Sequence, residues 1–304
     1  MINSKKKKVA IILCVKNSNN FLLEQLESIK NQRSINYDLF IGNDGCSPLI
    51  EIILKKYSKE IFLGAKEGFG KNFICTLKKI PNTYDYYAFC DHDDVWVENK
   101  LEHALTILEN FDNKKPSLYC GRTMLINENG KEIGFSPLFK KEPSFLNALV
   151  QSIAGGNTMI FNGATKNLLA KINLKKPIIS HDWLTYLFVS AMEGNIFYDE
   201  VPTVRYRIHQ NNKIGSNLGL FAFLKRAIKV FNGSWKTWID ANLSQISEIM
   251  PLAKTNDAVF EAFLQLRDEK NYFKKINLFR SIGIYRQTLI GNVALFVMVI
   301  FNKI

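Results

Sequence analysis

Apolar positions in the first 120 residues follow two rhythms. Unbroken runs of strand length are "VAIILCV" (Val9 to Val15), "YDLFIGND" (Tyr37 to Asp44), "YDYYAFC" (Tyr84 to Cys90) and "SLYCGRTMLI" (Ser117 to Ile126). Between them lie segments at helical spacing: "NNFLLEQLESIKNQ", with Phe21, Leu22, Leu26 and Ile29 on one face, then "PLIEIILKKYSKE", "GKNFICTLKKI" and "VENKLEHALTILENF". Strands apolar on both faces, alternating with helices, predict an α/β fold built on a Rossmann-like, mostly parallel sheet with helices on either side. Residues from about 120 to 217 mix short strands, glycines and polar clusters and read as a continuation of that domain. From Leu218 the pattern turns helical, basic and aromatic, beginning "LGLFAFLKRAIKVFNGSWKTW". The expected organisation is a domain over residues 1–217 and a helical region over 218–304.

Ligands of parallel sheets bind beyond the carboxyl ends of the strands, and acidic residues gather there. Asp44 follows one strand and "DHDD" (Asp91 to Asp94) follows another. Asp91 and Asp93 lie two apart, so in an extended segment both carboxylates face one way. Two hard oxygen ligands suit a divalent cation that takes its remaining ligands from substrate phosphate. An EF-hand is excluded because Trp96 stands where that loop needs glycine, and zinc because no second His/Cys cluster is near. Capping of the next helix by Asp93 or Asp94 is the plainer reading of those two, and leaves Asp91 unexplained. Likewise Asp44–Gly45 is a common turn, or a hydrogen-bond acceptor for a nucleotide base.

Three further stretches carry candidate chemistry. "EGFGKNF" opens a helix without matching a P-loop or a GxGxxG pattern; Gly70 lets backbone approach a nucleoside and Lys71 faces phosphate. "SHDWLTYLFVSA" places His181 and Asp182 at a helix start, where Asp182 serves either the helix dipole or as general base, with Trp183 against a sugar face. "VRYRIHQNN" puts Arg205, Arg207 and His209 on one side of an extended segment, a fit for pyrophosphate, with His209 completing a metal site; a solvated basic edge is the alternative.

Charge sharpens the picture at the C-terminal end. The 304 residues carry 40 Lys and Arg against 28 Asp and Glu, a formal +12. From Lys213 onward there are 13 basic and 6 acidic residues, and from Asn271 onward five basic and none acidic. The longest apolar run there, Val293 to Phe301, is too short for the ~20 residues of a bilayer span. Basic and bulky apolar side chains together predict adhesion to an anionic membrane surface; packing on the domain or on a second copy, as a homodimer, is the alternative. Five cysteines without metal-type spacing read as reduced, mostly buried thiols of a cytosolic protein. The N-terminal apolar run is too short for a signal segment and reads as the first strand.

In order and spacing these motifs resemble the family 2 glycosyltransferases of GT-A fold, and most closely their bacterial rhamnosyltransferase-like branch, which makes O-antigen and capsule. The resemblance covers residues 8–217 and adds "AGGNTMIFN" to the stretches above; the tail "GIYRQTLIGNVALFVMVIF" is also similar to that branch. It implies a nucleotide-sugar site from Val15, Asn17, Asp44, Gly70, Lys71, Asp91, His92 and Arg207, a cation, Mn²⁺ or Mg²⁺, at Asp93 and His209, and Asp182 as catalytic base. Gly156 and Asn157, with His181 and Trp183, lie on the acceptor side. The chain departs from the family with Lys16 in place of an aromatic residue, Asn43 in place of an acidic one, and His92 where this branch often has Gln. The implied reaction is an inverting transfer from a UDP- or dTDP-linked sugar to a glycan or lipid-linked acceptor, by an enzyme peripheral on the inner face of the plasma membrane. Nucleic acid is not among the expected partners. A sugar-phosphate nucleotidyltransferase and a noncatalytic carbohydrate- or membrane-binding scaffold are the competing readings, the first weakened by the lack of glycine in "VKNSNNF".

Overall fold

A computed structural model describes residues 7–16, 21–209 and 234–304 of the chain. The expected boundary at 217/218 and the stretch "LGLFAFLKRAIKVF" lie outside those residues. So does Asn17.

The first expected strands form as read: β1 (Lys8–Val15), β2 (Asn36–Asn43) and β4 (Tyr86–Cys90). A short strand unmarked in the sequence, β3 (Glu60–Leu63), extends the edge beside β2. "SLYCGRTMLI" divides into β6 (Ser117–Gly121) and β7 (Met124–Ile126), which belong to different sheets. With β9 (Ile160–Asn162) and β10 (Asn195–Asp199), the main sheet has seven strands in the order β10-β6-β9-β4-β1-β2-β3. Its neighbours run parallel except around β9, which pairs antiparallel with both β4 and β6. β5 (Val95–Trp96), β8 (Glu132–Phe135) and β11 (Val204–Arg207) complete a second sheet with β7, in the order β5-β11-β7-β8.

β1 shows why the apolar runs are unbroken. Ala10, Ile12 and Cys14 join the hydrophobic cluster on one face, Val9, Ile11, Leu13 and Val15 that on the other. Both faces are roofed by helix, so neither set of alternate positions can be polar. α1 (Leu22–Lys30) and α4 (Lys100–Leu108) pack on the second face through Leu22, Leu26, Leu101 and Leu105. α3 (Phe69–Lys79), after α2 (Pro48–Tyr57), packs on the first, as does a later helix running His181–Ala191. With two short helices between them, α5 (Phe145–Ala148) and α6 (Gly163–Leu169), that later helix is α7.

The C-terminal helices are α8 (Ser234–Ile246), α9 (Lys254–Asp268), α10 (Tyr272–Ile282) and α11 (Leu289–Ile300). Their buried residues, among them Ile239, Phe263, Leu295 and Val299, merge with the cluster that contains α7. Polar ties reinforce the seam, as where Asn256 donates to the carbonyls of Ser190 and Ala191 at the end of α7. Only one face of α11 is spent on this. Leu289, Ile290 and Val293 stay largely exposed, as does Phe273 on α10. Among the described residues no helix is long and apolar enough to cross a membrane.

All five cysteines are free thiols, with Cys14, Cys90 and Cys120 buried, as their apolar contexts predict.

Candidate active site

The parallel register fixes where the carboxylates meet. Val15 at the end of β1 pairs with Asn43 of β2, and Leu13 with Cys90 of β4. Asp44 and Asp91 therefore emerge on either side of the β1 terminus. The buried Cys14 thiol between them is pushed well up, chiefly by burial and further by both carboxylates.

Asp44 is held by its neighbours on all sides. Its amide donates to the Val15 carbonyl at 2.8 Å, and its carboxylate accepts from the Lys66 amide. Asn43 shapes the turn: its side-chain oxygen accepts from the amides of Gly45 and Cys46, and its side-chain nitrogen donates to Glu51. An amide at position 43 thus does a structural job that needs both a donor and an acceptor.

Asp91 to Asp94 separate into distinct roles. Asp91 is partly exposed, and no hydrogen bond to its carboxylate is present among the described residues; burial, then Asp94, Asp93 and Asp182, push it well above the usual carboxylate range. Asp93 meets His209, with Nε2 and Oδ2 2.9 Å apart. His92 is beside them, its imidazole shifted down by burial. Asp94 is fully buried: Oδ1 accepts from the Arg207 amide at 3.1 Å and Oδ2 from the Asn157 side chain at 2.5 Å. Burial and Asp93 lift its carboxyl to about 7. It is neither a helix cap nor a solvent-facing ligand.

Arg205 parts from Arg207 and His209, which both lie against Phe21 and Asp93. Arg205 is exposed and pairs loosely with Glu132. Arg207 is 1% exposed; its guanidinium donates to the carbonyls of Asp93, Asn127 and Glu128 and to the Glu24 carboxylate, and lies 4.4 Å from the Phe21 ring. Its positive charge sits behind the Asp93 loop and fixes it from within.

Asp182 enters from α7. Ser180 caps that helix, accepting from the Trp183 amide at 3.4 Å, and the Asp182 carboxylate shares that amide at 2.6 Å. Burial outweighs the neighbouring backbone amides, which favour the charged form, and raises the Asp182 carboxyl to about 6. A carboxylate with that affinity is poised to take a proton near neutral pH. Asp91 feels its charge, so the Asp182 carboxylate lies near the strand ends.

The side chains around Asp182 are packed inward. His181 is 2% exposed, stacked 4.0 Å from Phe73 and edged by Phe89 and Phe69, with neither ring nitrogen hydrogen-bonded. Burial holds its imidazole down to about 3, so it is neutral at any working pH. Its Nε2 lies 2.1 Å from where a Cβ on Gly156 would stand, so only glycine fits there. Gly70 is similarly constrained, since a Cβ would come within 3.3 Å of the His181 amide, and the missing side chain lets α3 close on α7. Trp183 is in the core rather than on a sugar face, its indole donating to the Ala148 carbonyl at 2.7 Å and lying 5.2 Å from Trp235. Lys71 is paired with Glu67 one turn away.

The structure thus brings together Asp44, Asp91, Asp93, His209 and Asp182 around the end of β1. It commits Arg207, Asn157, His181, Trp183 and Gly70 to holding that arrangement. Asp94 and Lys100 do not stand out in the sequence as site residues. Lys100 is fully buried, 4.8 Å from the Trp96 ring, and donates to the Thr158 carbonyl at 3.2 Å. A lysine among apolar helix positions, in "VENKLEHAL", is the one available signal.

Whether the donor set suits a cation can be judged from its geometry. Among the described residues no three of His, Cys, Asp and Glu converge closely enough to hold a metal. The Asp93–His209 pair, next to an Asp91 carboxylate without hydrogen-bond partners there, fits a hard cation that draws further oxygen ligands from a diphosphate.

Comparison with known proteins places these features in context. The description "Glycosyl transferase family 2" matches residues 10–171, which include Asp44, Asp91 to Asp94 and Asn157 and stop short of Asp182. The chain is 26% identical over 305 residues to a dTDP-rhamnosyl transferase of Shigella flexneri, RfbG, covering 92% of this chain and 96% of that one. It is 29% identical to an uncharacterized glycosyltransferase of Rickettsia prowazekii over 66% of this chain and 64% of the relative. Among solved structures, residues 1–349 of S. aureus TarS superpose with a TM-score of 0.56 at 14% identity, over 90% of this chain and 72% of that one. The same protein in complex with UDP gives 0.55 at 13% identity, over 97% and 80%.

Proposed function

The chain belongs to glycosyl transferase family 2, with the GT-A fold, and on that premise we propose that it is an inverting transferase taking rhamnose from a dTDP-linked donor. That it is a glycosyltransferase follows from the family. The donor is favoured by the Shigella flexneri relative, whose similarity covers 92% of this chain and so reaches into the C-terminal helices. The observation that carries the mechanism is the buried Asp182 carboxylate, raised to about 6, near the Asp91 carboxylate at the end of β4.

In this reading Asp44 accepts from the base of the nucleotide and Asp91 from its ribose, with Val15 alongside. Asp93 and His209 would hold Mn²⁺ or Mg²⁺, with His92 beside them. When bound, the cation supplies positive charge that offsets the charge of the departing diphosphate. Asp182 removes the proton from an acceptor hydroxyl as its oxygen attacks the anomeric carbon from the face opposite the nucleotide. The acceptor is a glycan or lipid-linked oligosaccharide of bacterial surface polysaccharide, such as O-antigen or capsule. Calorimetry with dTDP, UDP and GDP in the presence of Mn²⁺ checks the donor: dTDP is expected to bind tightest. A clear preference for GDP would overturn the pyrimidine assignment.

A lipid-linked acceptor calls for proximity to a membrane. Phe273 is 81% exposed and Leu289 84%; Lys274 and Arg280 lie on α10 and Arg286 between α10 and α11, with no acidic residue after Glu269. Apolar groups of this size enter the headgroup region, and each nearby basic residue adds about 1 kcal/mol at an anionic surface. The enzyme is therefore expected to sediment with vesicles containing anionic lipid at low salt, and a variant with Phe273, Leu289 and Ile290 changed to Ser much less. Equal behaviour of the two, together with a dimer that the same changes dissolve, would assign this face to a second copy instead.

A further inference from the structure

The turn Gly155 to Thr158 touches both halves of the site. Its later residues form a 3₁₀ turn (Gly156–Thr158) just before β9. On one side Gly156 packs against the ring of His181, the residue before Asp182, so closely that a Cβ there would stand 2.1 Å from its Nε2, and its amide is near enough to favour the charged form of Asp182. On the other, the side-chain amide of the next residue, Asn157, donates to Asp94 at 2.5 Å. Asp94 adjoins Asp93 and also accepts from the Arg207 amide, while the Arg207 Nε donates to the Asp93 carbonyl at 3.1 Å. Lys100 grips the far end of the turn at the Thr158 carbonyl, and the Thr158 hydroxyl closes it onto the Gly155 carbonyl at 2.9 Å. Asn157 is 3% exposed and Asp94 and Lys100 are fully buried, so water does not compete for these bonds.

We propose that Asn157 is a positioning residue for the transfer: anchored on Asp94, it holds the turn so that Gly156 stays packed on His181, next to Asp182, and the base keeps a fixed spacing from the donor loop. The proposal rests on the reading of Asp182 as base. Its physical basis is that a buried amide–carboxylate bond has one geometry, and a misplacement of about 1 Å at a reacting group costs about 10²-fold in rate. A residue that only filled space there would need no charged partner.

The test exchanges the two polar groups. Asn157→Asp sets a second carboxylate against Asp94, whereas Asp94→Asn combined with Asn157→Asp restores one amide and one carboxylate in reverse order. With dTDP-rhamnose as donor, Asn157→Asp is expected to lower kcat about 10–100-fold, with donor KM and dTDP affinity within about twofold of wild type. Amide hydrogen exchange at Gly156 and Thr158 is expected to quicken, and the double exchange to recover both kcat and protection. Asn157→Ala, which adds no charge, should show the same pattern more mildly if Asn157→Asp fails to fold. Wild-type kcat and wild-type exchange in the folded single variants would overturn the proposal, as would a loss confined to KM. So would a folded double exchange that recovers neither quantity. Should the wild type release no dTDP from dTDP-rhamnose, the donor reading falls, and the exchange rates of Gly156 in the same variants decide the clamp by themselves.

Discussion

Asp182→Asn is expected to reduce turnover about 10²–10⁴-fold while leaving dTDP affinity nearly unchanged. The amide keeps the size of the side chain and still accepts from the Trp183 amide, so helix α7 and its Ser180 cap should persist. What it lacks is the ability to take a proton. The same residue sets the pH profile. Its carboxyl is raised to about 6 by burial, so kcat should fall with a slope of one proton below about pH 6, and the variant should lose that limb. Stability is expected to move the other way. A carboxyl with its affinity raised from 3.8 to about 6 stabilises the fold below pH 3.8 and loses that contribution as pH rises through 6. At pH 7 or above the buried charge costs about 3 kcal/mol, from about 1.4 kcal/mol per unit. Asp182→Asn removes that cost, less whatever the amide loses in accepting from the Trp183 amide, so its melting temperature at pH 7.5 should equal or exceed that of the wild type. Near-normal turnover, or a marked drop in stability, would make Asp182 a structural residue.

The second large effect concerns Asp93. Removing its carboxylate in Asp93→Ala takes from His209 the carboxylate that it meets at 2.9 Å, and leaves a diphosphate-bound cation one hard ligand short. Charge-assisted contacts of this kind contribute about 1.5–3 kcal/mol, so dTDP affinity in Mn²⁺ or Mg²⁺ should fall about 10–100-fold. Wild-type protein in chelator should fall to a similar level, and the variant in chelator no further. That non-additivity is the signature of one shared interaction. Calorimetric titrations that find equal dTDP affinity with and without divalent cation would remove the cation from Asp93 and His209.

What is legible in the sequence is whatever local pattern determines. Unbroken apolar runs mark β1, β2 and β4 because both faces of those strands are buried, and their ends give Asp44 and Asp91 a location from the sequence alone. β3, β5 and β8 carry no such mark: they are two to four residues long and lie at edges or in the small second sheet, where no run of apolar residues is required. Arg207 reads as a phosphate ligand because a basic residue in an alternating strand looks solvent-facing. Its burial depends on acceptors at Glu24, Asp93, Asn127 and Glu128, between 79 and 183 residues away in the chain. Asp94 is illegible for the same reason, since its partners Asn157 and Arg207 are 63 and 113 residues distant. Trp183 and His181 read as acceptor-side residues because aromatic and imidazole groups beside a catalytic aspartate are chemically apt. The third dimension instead fills that volume with Phe73, Phe89 and Trp235 and turns both rings inward.

Long-range pairing therefore decides which charged groups are left to do chemistry. Arg207, Asp94 and Lys100 spend their charges on backbone carbonyls and buried partners. Asp91, Asp93 and Asp182 are left near one another at the strand ends, where burial and the neighbouring carboxylates push Asp91 well up, a cost that a bound cation would offset.

The most direct measurement of that account follows the products of dTDP-rhamnose incubated with the wild-type enzyme, Mn²⁺ and a lipid-linked oligosaccharide acceptor. One dTDP released per rhamnose transferred, with the anomeric configuration inverted in the product and the reaction abolished by Asp182→Asn, is the expected result. Release of pyrophosphate or dTMP in place of dTDP, or a product that retains the donor's configuration, would contradict it.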